Sequence, residues 1–301
     1  MQTMEYDNID GLILKAIGGF YYVETTNGIY ECKARGVFRN IDVSPLVGDN
    51  VKIDIQDNMK GIVVEIYPRK NDFMRPPMAN IDTLFIIASI IDPAPSFLVL
   101  DKLIAVCEYK NIEPVIVLTK LDLANCKDIE KIYVNAGLTV ILPYDNNCSN
   151  YSKIYSLMEG NKCAFIGNTG VGKSTLLNNM FPKLCLQTGE ISTKLGRGRH
   201  TTRQVELFKI EDLNSYIADT PGFGTMDIQK YQTIRKEELS LCFRDFLPYI
   251  NDCKYTGCSH TVEKGCNVLK ALYDGKIQPS RHNSYKEMYL QAKDLKEWEL
   301  K

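Results

Sequence analysis

Two hydrophobic patterns divide this chain. In the first 70 residues, β-rich runs at 11–17, 21–25, 29–33, 51–56 and 61–67 are separated by turn signals: Gly18-Gly19, Asn27-Gly28, Gly48-Asp49 and the polar stretch 58–61. Five short strands without a convincing helix predict a small barrel. An OB-type barrel leads, and an SH3-like barrel is the alternative that periodicity leaves open. Residues 71–80, with Pro76-Pro77, show no regular period and read as a linker. Beyond them the pattern changes. Residues 83–88 and 115–118 are continuous apolar runs, as expected of strands covered on both faces. Residues 97–109 have helical spacing, and 138–142, 163–166, 206–210 and 215–218 read as further strands. This alternation predicts a mostly parallel α/β sheet. After about residue 231 the strands stop, and 234–247 and 285–300 look helical around a Cys/His-rich segment.

One segment carries specific chemistry. Gly167-Asn168-Thr169-Gly170-Val171-Gly172-Lys173-Ser174 fits G-x-x-x-x-G-K-[ST], after an apolar strand and before the helix-forming run from Thr175. Its glycines let backbone N–H groups wrap phosphates, and the helix start favours an anion. Lys173 would neutralise the β- and γ-phosphates, and Ser174 would coordinate Mg²⁺. Downstream, Asp219-Thr220-Pro221-Gly222 follows a strand. Asp219 at a strand end can hold Mg²⁺ through water, and Gly222 allows its N–H to approach a γ-phosphate.

Thr119-Lys120-Leu121-Asp122 also follows an apolar strand and resembles the [NT]-K-x-D loop by which GTPases recognise guanine. The Asp122 carboxylate can accept from N1–H and the N2 amine of guanine, donors that adenine lacks, while the Lys120 stem lies along the base. In ordinary GTPases this loop comes after the phosphate loop; here Asp122 precedes Gly167. The order is that of a circular permutation, which a domain with neighbouring termini tolerates.

Composition narrows the class. With 45% hydrophobic and 24% charged residues and a net charge of −1, neither global disorder nor a globally basic nucleic-acid binder is indicated. Positive charge does gather locally: Lys183, Lys194, Arg197, Arg199, Arg203 and Lys209 face only Glu190 and Glu206 over 183–209, with His200 among them. The longest apolar run, 84–91, is far short of the ~20 residues of a membrane span. The acidic start lacks a secretion signal, so a cytoplasmic location is expected. There, cysteines are thiols or metal ligands. Cys253, Cys258, His260 and Cys266 offer three thiolates and an imidazole, a closed set for one structural Zn²⁺; the other seven cysteines read as core or surface thiols.

Together these motifs resemble the bacterial ribosome small-subunit-dependent GTPases, circularly permuted assembly factors of the RsgA/YjeQ type. The resemblance covers nearly the whole chain. It rests on Arg75-Pro76-x-x-Ala79-Asn80-x-Asp82, Thr119-Lys120-x-Asp122, Gly167–Ser174, Gly198-Arg199-His200-Thr201-Thr202, Asp219-Thr220-Pro221-Gly222-Phe223 and the Cys253-x4-Cys258-x-His260-x5-Cys266 cluster. It implies a multidomain α/β architecture: an OB-type β-barrel (1–70), a circularly permuted P-loop GTPase domain (71–230) and a C-terminal helical zinc-binding domain (231–301). It also implies hydrolysis of GTP to GDP with Mg²⁺ during late maturation of the small (30S) subunit, stimulated by that subunit, by a monomer contacting rRNA away from membranes. Thr201 or Thr202 would supply the second Mg²⁺ hydroxyl, and the family alignment favours Thr202. Phe223 stands where many GTPases keep a water-orienting glutamine, so His200 is expected to take that role. One departure is plain: the family's second base-contacting loop carries Ser-Ala, whereas this chain has Pro143-Tyr144-Asp145-Asn146. Two other classes remain: an RNA-binding scaffold with GTP as a mere ligand, and a permuted GTPase acting on another RNA or a membrane.

Overall fold

The computed structural model describes residues 8–36, 38, 43–56, 58–74, 76–145, 148–149, 151–182, 205–219 and 234–293. They fall into two compact units: Met1–Asp82 with Met158–Ala164 and Leu195–Phe223, and Thr83–Leu157 with Phe165–Lys194 and Gly224–Lys301.

In the first unit, strands β1 (Asn8–Ile17), β2 (Phe20–Thr25), β3 (Gly28–Ala34), β4 (Asn50–Gln56) and β5 (Lys60–Ile66) close into a ring. β1 pairs with both β2 and β4, β2 with β3, and β5 with both β3 and β4. The β3–β5 pair is parallel, which favours the OB-type Greek key over the SH3-like alternative. Alternation works as the period demands: Ile13, Val23, Cys32, Val51, Ile53 and Val63 are fully buried in the ring.

The expected linker is a correction. Residues 72–79 form a hairpin, β6 (Asp72–Met74) and β7 (Pro77–Ala79), with Phe73 and Met78 fully buried. Two asparagines explain it. Asn71 exchanges hydrogen bonds with the Ile81 backbone, its Nδ2 donating to the carbonyl at 2.8 Å and its Oδ1 accepting the N–H at 3.0 Å. Asn80, at φ +58°, accepts from Lys70 N–H at 2.8 Å and donates to the Gly48 carbonyl at 3.0 Å. These side chains satisfy backbone groups that no ladder reaches.

The second unit contains the parallel strands β8 (Thr83–Ser89), β9 (Glu113–Thr119) and β10 (Thr139–Ile141). Every residue of β8 is buried, as its unbroken apolar run predicts. Helix α1 (Phe97–Tyr109), starting at Ser96, joins β8 to β9, and α2 (Lys127–Asn135) joins β9 to β10. A small hairpin, β11 (Tyr144–Asp145) and β12 (Cys148–Ser149), precedes α3 (Ser152–Met158). Strand β13 (Lys162–Ile166) and helix α4 (Lys173–Met180) flank the phosphate-loop motif. Back in the first unit, β14 (Glu206–Ile210) and β15 (Ser215–Asp219) form an antiparallel hairpin, and residues 162–164 of β13 pair in parallel with β15.

The C-terminal part holds α5 (Asn267–Tyr273) and α6 (Pro279–Lys293). The helix expected over 234–247 is not formed. That stretch is a chain of turns with a 3-10 segment at Leu239–Cys242, and it buries Leu239, Cys242, Phe243 and Phe246. Apolar residues three and four apart serve a succession of tight turns as well as a helix. The last helix begins earlier than expected, at Pro279, where a missing N–H costs nothing. Its expected continuation past 293 lies outside the described residues.

Candidate functional site

The phosphate loop is built by its backbone. Gly167 ends β13 against β8: a Cβ there would sit 2.8 Å from the Ile87 carbonyl oxygen, so only glycine fits. Gly170 and Gly172 have φ of +84° and +91°, left-handed positions that favour glycine. Gly172 starts α4, its carbonyl accepting from Leu176 N–H at 2.9 Å. Leu176, Leu177 and Met180 bury one face of that helix, and Val171 is 4% exposed, so the loop is anchored at both sides of its turn. Asn168, Thr169 and Gly170 between the anchors are exposed, while Lys173 and Ser174 at the helix start are half-buried. Exposed amides beside a helix start with a lysine make a receptor for a polyphosphate.

The Thr-Lys-Leu-Asp loop is tied to this turn. Thr119 is buried at the end of β9, and its hydroxyl donates to the Val171 carbonyl at 2.5 Å. Lys120 has φ +57°, and its ammonium donates to the carbonyl of Asp92. The Pro93 carbonyl in turn accepts from Ser89 Oγ at 2.7 Å. Asp122 is exposed beyond them. The Thr119–Asp122 loop and the phosphate-loop motif are therefore joined by a direct side-chain hydrogen bond.

The remaining expected site residues are only partly described. Asp219 is the last residue of β15, in the first unit. His200, Thr201, Thr202 and Gly222 lie outside the described residues. Tyr144 begins β11, and its hydroxyl accepts from Asn179 Nδ2 at 3.2 Å.

The second constellation is the Cys/His cluster, where the ligand atoms of Cys253, Cys258, His260 and Cys266 lie within 4.8 Å of one another. Cys253 Sγ is 3.8 Å from Cys266 Sγ and 3.6 Å from His260 Nδ1, which is 3.4 Å from Cys266 Sγ. Bonds of ~2.3 Å to sulfur in a tetrahedron give S···S edges of about 3.8 Å, so the spacing fits one tetrahedral ion. Backbone N–H groups of Asn267 and Leu269 point at the sulfurs of Cys253 and Cys266, at 3.4 and 3.5 Å, as they would toward thiolates. These residues could hold a metal. Of the remaining cysteines, Cys32, Cys107, Cys163 and Cys242 are buried among apolar side chains, as core thiols should be.

Supports of the cluster carried no sequence signal. The Glu263 carboxylate accepts three backbone N–H groups, from Ser259 at 2.9 Å, Thr261 at 3.1 Å and Val262 at 3.2 Å. Burial pushes its pKa up, but the hydrogen bonds from Ser259 and the neighbouring backbone prevail and hold it at about 2. His282 Nε2 donates to the His260 carbonyl at 2.8 Å, and Tyr285 Oη to the Ser259 carbonyl at 2.9 Å. Beneath them Arg281, 1% exposed, bonds Asp101 of α1 at 2.7 Å and Asp245 at 2.9 Å, with its guanidinium 4.6 Å from the Phe243 ring centroid.

The buried strand, the left-handed glycine turn and the helix opening on lysine define a P-loop nucleotide hydrolase, and the attached Thr-Lys-Leu-Asp loop narrows the class to the GTPases. Comparison with known proteins gives the family. Residues 66–229 match the RsgA GTPase family and residues 10–63 the RsgA N-terminal domain. A protein of Alkaliphilus metalliredigens named small ribosomal subunit biogenesis GTPase RsgA is 42% identical over 283 residues, covering 92% of this chain and 96% of its own. Its namesake in Ruminiclostridium cellulolyticum is 40% identical over 294 residues, with 96% and 95% covered. The crystal structure of YloQ, described as a circularly permuted GTPase, superposes with a TM-score of 0.77 at 32% identity over 98% of this chain and 99% of that one. YjeQ from Thermotoga maritima superposes at 0.79 with 26% identity, covering 96% and 100%. The chain belongs to the RsgA GTPase family.

Proposed function

We propose that this GTPase binds GTP across the joined loops, hydrolyses it, and uses the cycle to act on the small ribosomal subunit and its rRNA during late maturation. The observation that carries the nucleotide reading is the Thr119–Val171 hydrogen bond, which joins a base loop to a phosphate loop. Thr119, Lys120 and Asp122 read guanine. Gly167 to Thr175 cradle the phosphates, with Lys173 on the β- and γ-phosphates and Ser174 and Thr202 on Mg²⁺. Asp219 and Gly222 serve the metal and the γ-phosphate, and His200 orients the attacking water. The ribosomal role is supported by the names of the relatives. The Cys/His cluster takes one structural Zn²⁺: thiolate-rich tetrahedral sets suit that ion, and four protein ligands leave no open position. Residues 1–70, 71–230 and 231–301 act as barrel, GTPase and zinc domains of a cytoplasmic monomer. Among the described residues no helix is long and apolar enough to cross a membrane.

The test is turnover with and without purified small subunits. The unmodified chain should hydrolyse GTP slowly alone and faster with subunits. A His200→Ala variant should bind GTP normally and lose the stimulated rate; an unchanged stimulated rate removes His200 from the mechanism.

A further inference from the structure

Both strands that border the candidate switch segments send a side chain to one carboxylate of the barrel, Glu24. β14 begins just after the basic segment 183–204, and β15 ends at Asp219 of Asp-Thr-Pro-Gly. The two form a hairpin with five registered pairs, from Glu206↔Asp219 to Ile210↔Ser215. On its other side β15 pairs in parallel with residues 162–164 of β13. Among the described residues the hairpin's ladder to the barrel strands is a single pair, Lys15↔Glu206, next to an irregularity in β1 between Ile13 and Lys15. Side chains add to this link with the barrel. Lys15 Nζ lies 2.7 Å from Glu206 Oε2. Glu24, on barrel strand β2, accepts Lys209 Nζ on Oε1 at 3.1 Å and the Tyr216 hydroxyl on Oε2.

Lys209 and Tyr216 are directly opposite each other in the hairpin register. Glu24 therefore grips one cross-strand pair, one residue from each strand. The Glu24 and Lys209 side chains are 21% and 32% exposed, so the contact is partly shielded from water. Burial, and then the bond to Glu24, raise the pKa of Tyr216 and keep its hydroxyl a donor. From Tyr216 the strand runs three residues to Asp219, about 10 Å of extended chain.

We propose that Glu24 is a positioning residue: by holding Lys209 and Tyr216 it lets the barrel set the placement of Asp219, and so the rate of hydrolysis. This rests on the reading of Asp219 as part of the GTP site. The test uses the full chain with Glu24→Ala, Glu24→Gln and the charge swap Glu24→Lys with Lys209→Glu. In Glu24→Ala, kcat should fall about tenfold, since small misplacements are costly in rate, while KM for GTP stays within about twofold, because the base and phosphate loops are untouched. Hydrogen exchange should quicken at residues 206–219 and stay unchanged in β3 and β5. Glu24→Gln, which keeps an acceptor for Tyr216, should fall between, and the swap should restore both readouts. An unchanged kcat, faster exchange spread over the whole barrel, or a swap that restores nothing overturns the proposal. Asp219→Ala controls the reading separately: turnover that survives it removes Asp219 from the GTP site, while exchange at 206–219 still decides whether Glu24 holds the hairpin.

Discussion

The phosphate loop and the Cys/His cluster are both short and motif-bearing, yet they are held together in opposite ways. The loop is backbone architecture. Left-handed glycines set its path, α4 buries its far end, and the Val171 carbonyl is tied to Thr119. Its ligand would arrive at a shape already made. The cluster is side-chain architecture. Its four donors converge from loops around the start of α5, with His260 and Cys266 buried and the loops pinned by Glu263, His282 and Tyr285. Removing the ligand should leave the first region folded and undo the second.

The largest effect expected from this contrast follows metal removal. Structural zinc contributes on the order of 10 kcal/mol of folding free energy in small zinc modules. With the proposed zinc in the cluster, a chelator should release the thiols of Cys253, Cys258 and Cys266 to titration and lose ordered structure across 234–293. GDP affinity should stay as it was, because no bond of the phosphate loop runs through the cluster. A module that keeps its circular dichroism after chelation, or a parallel loss of GDP binding, breaks the contrast.

Arg281 is the intermediate case, because it holds the C-terminal module to α1 without touching the metal. Its guanidinium is shared between Asp101 and Asp245, all three nearly or wholly buried. Removing one partner of a buried ionic network strands the others and costs about 3–5 kcal/mol. Arg281→Met should lower the unfolding free energy from urea titration by that amount while the bound metal per chain stays unchanged. A loss below about 1 kcal/mol would mean that the metal alone carries the module.

The same contrast explains what was legible in the sequence. The phosphate-loop motif was readable because its glycines sit at fixed offsets, and the metal-capable cluster because its three cysteines and histidine lie close together in the chain. Doubly covered strands such as β8 were readable too, because full burial leaves an unbroken apolar run. Long-range polar ties left no trace. Asn71 and Asn80 turned an apparent linker into a packed hairpin, and nothing local marks Glu263, His282 or Arg281 as supports of the cluster. The failed helix at 234–247 belongs with them: its apolar spacing fitted two structures, and burial of Phe243 and Phe246 against Tyr285 decided between them.

The smallest expected effect sharpens the claim that the phosphate loop supports itself. Thr119→Val replaces the hydroxyl of a side chain that is 3% exposed with a methyl of similar size. The Val171 carbonyl then loses the donor at 2.5 Å, a loss of about 1 kcal/mol. If the turn is fixed by its glycines alone, that loss should appear as a melting shift of about 2 °C, with unchanged GDP affinity. If Thr119 also sets the turn against the base loop, GDP affinity should fall by roughly fivefold, the same ~1 kcal/mol now expressed in binding. We expect the second result. The hydroxyl bonds the residue just before Gly172, so its removal frees the turn at the point where α4 and the phosphate amides begin. Calorimetric titration of GDP into the two proteins distinguishes the outcomes, and equal affinities would return the loop to glycine control alone.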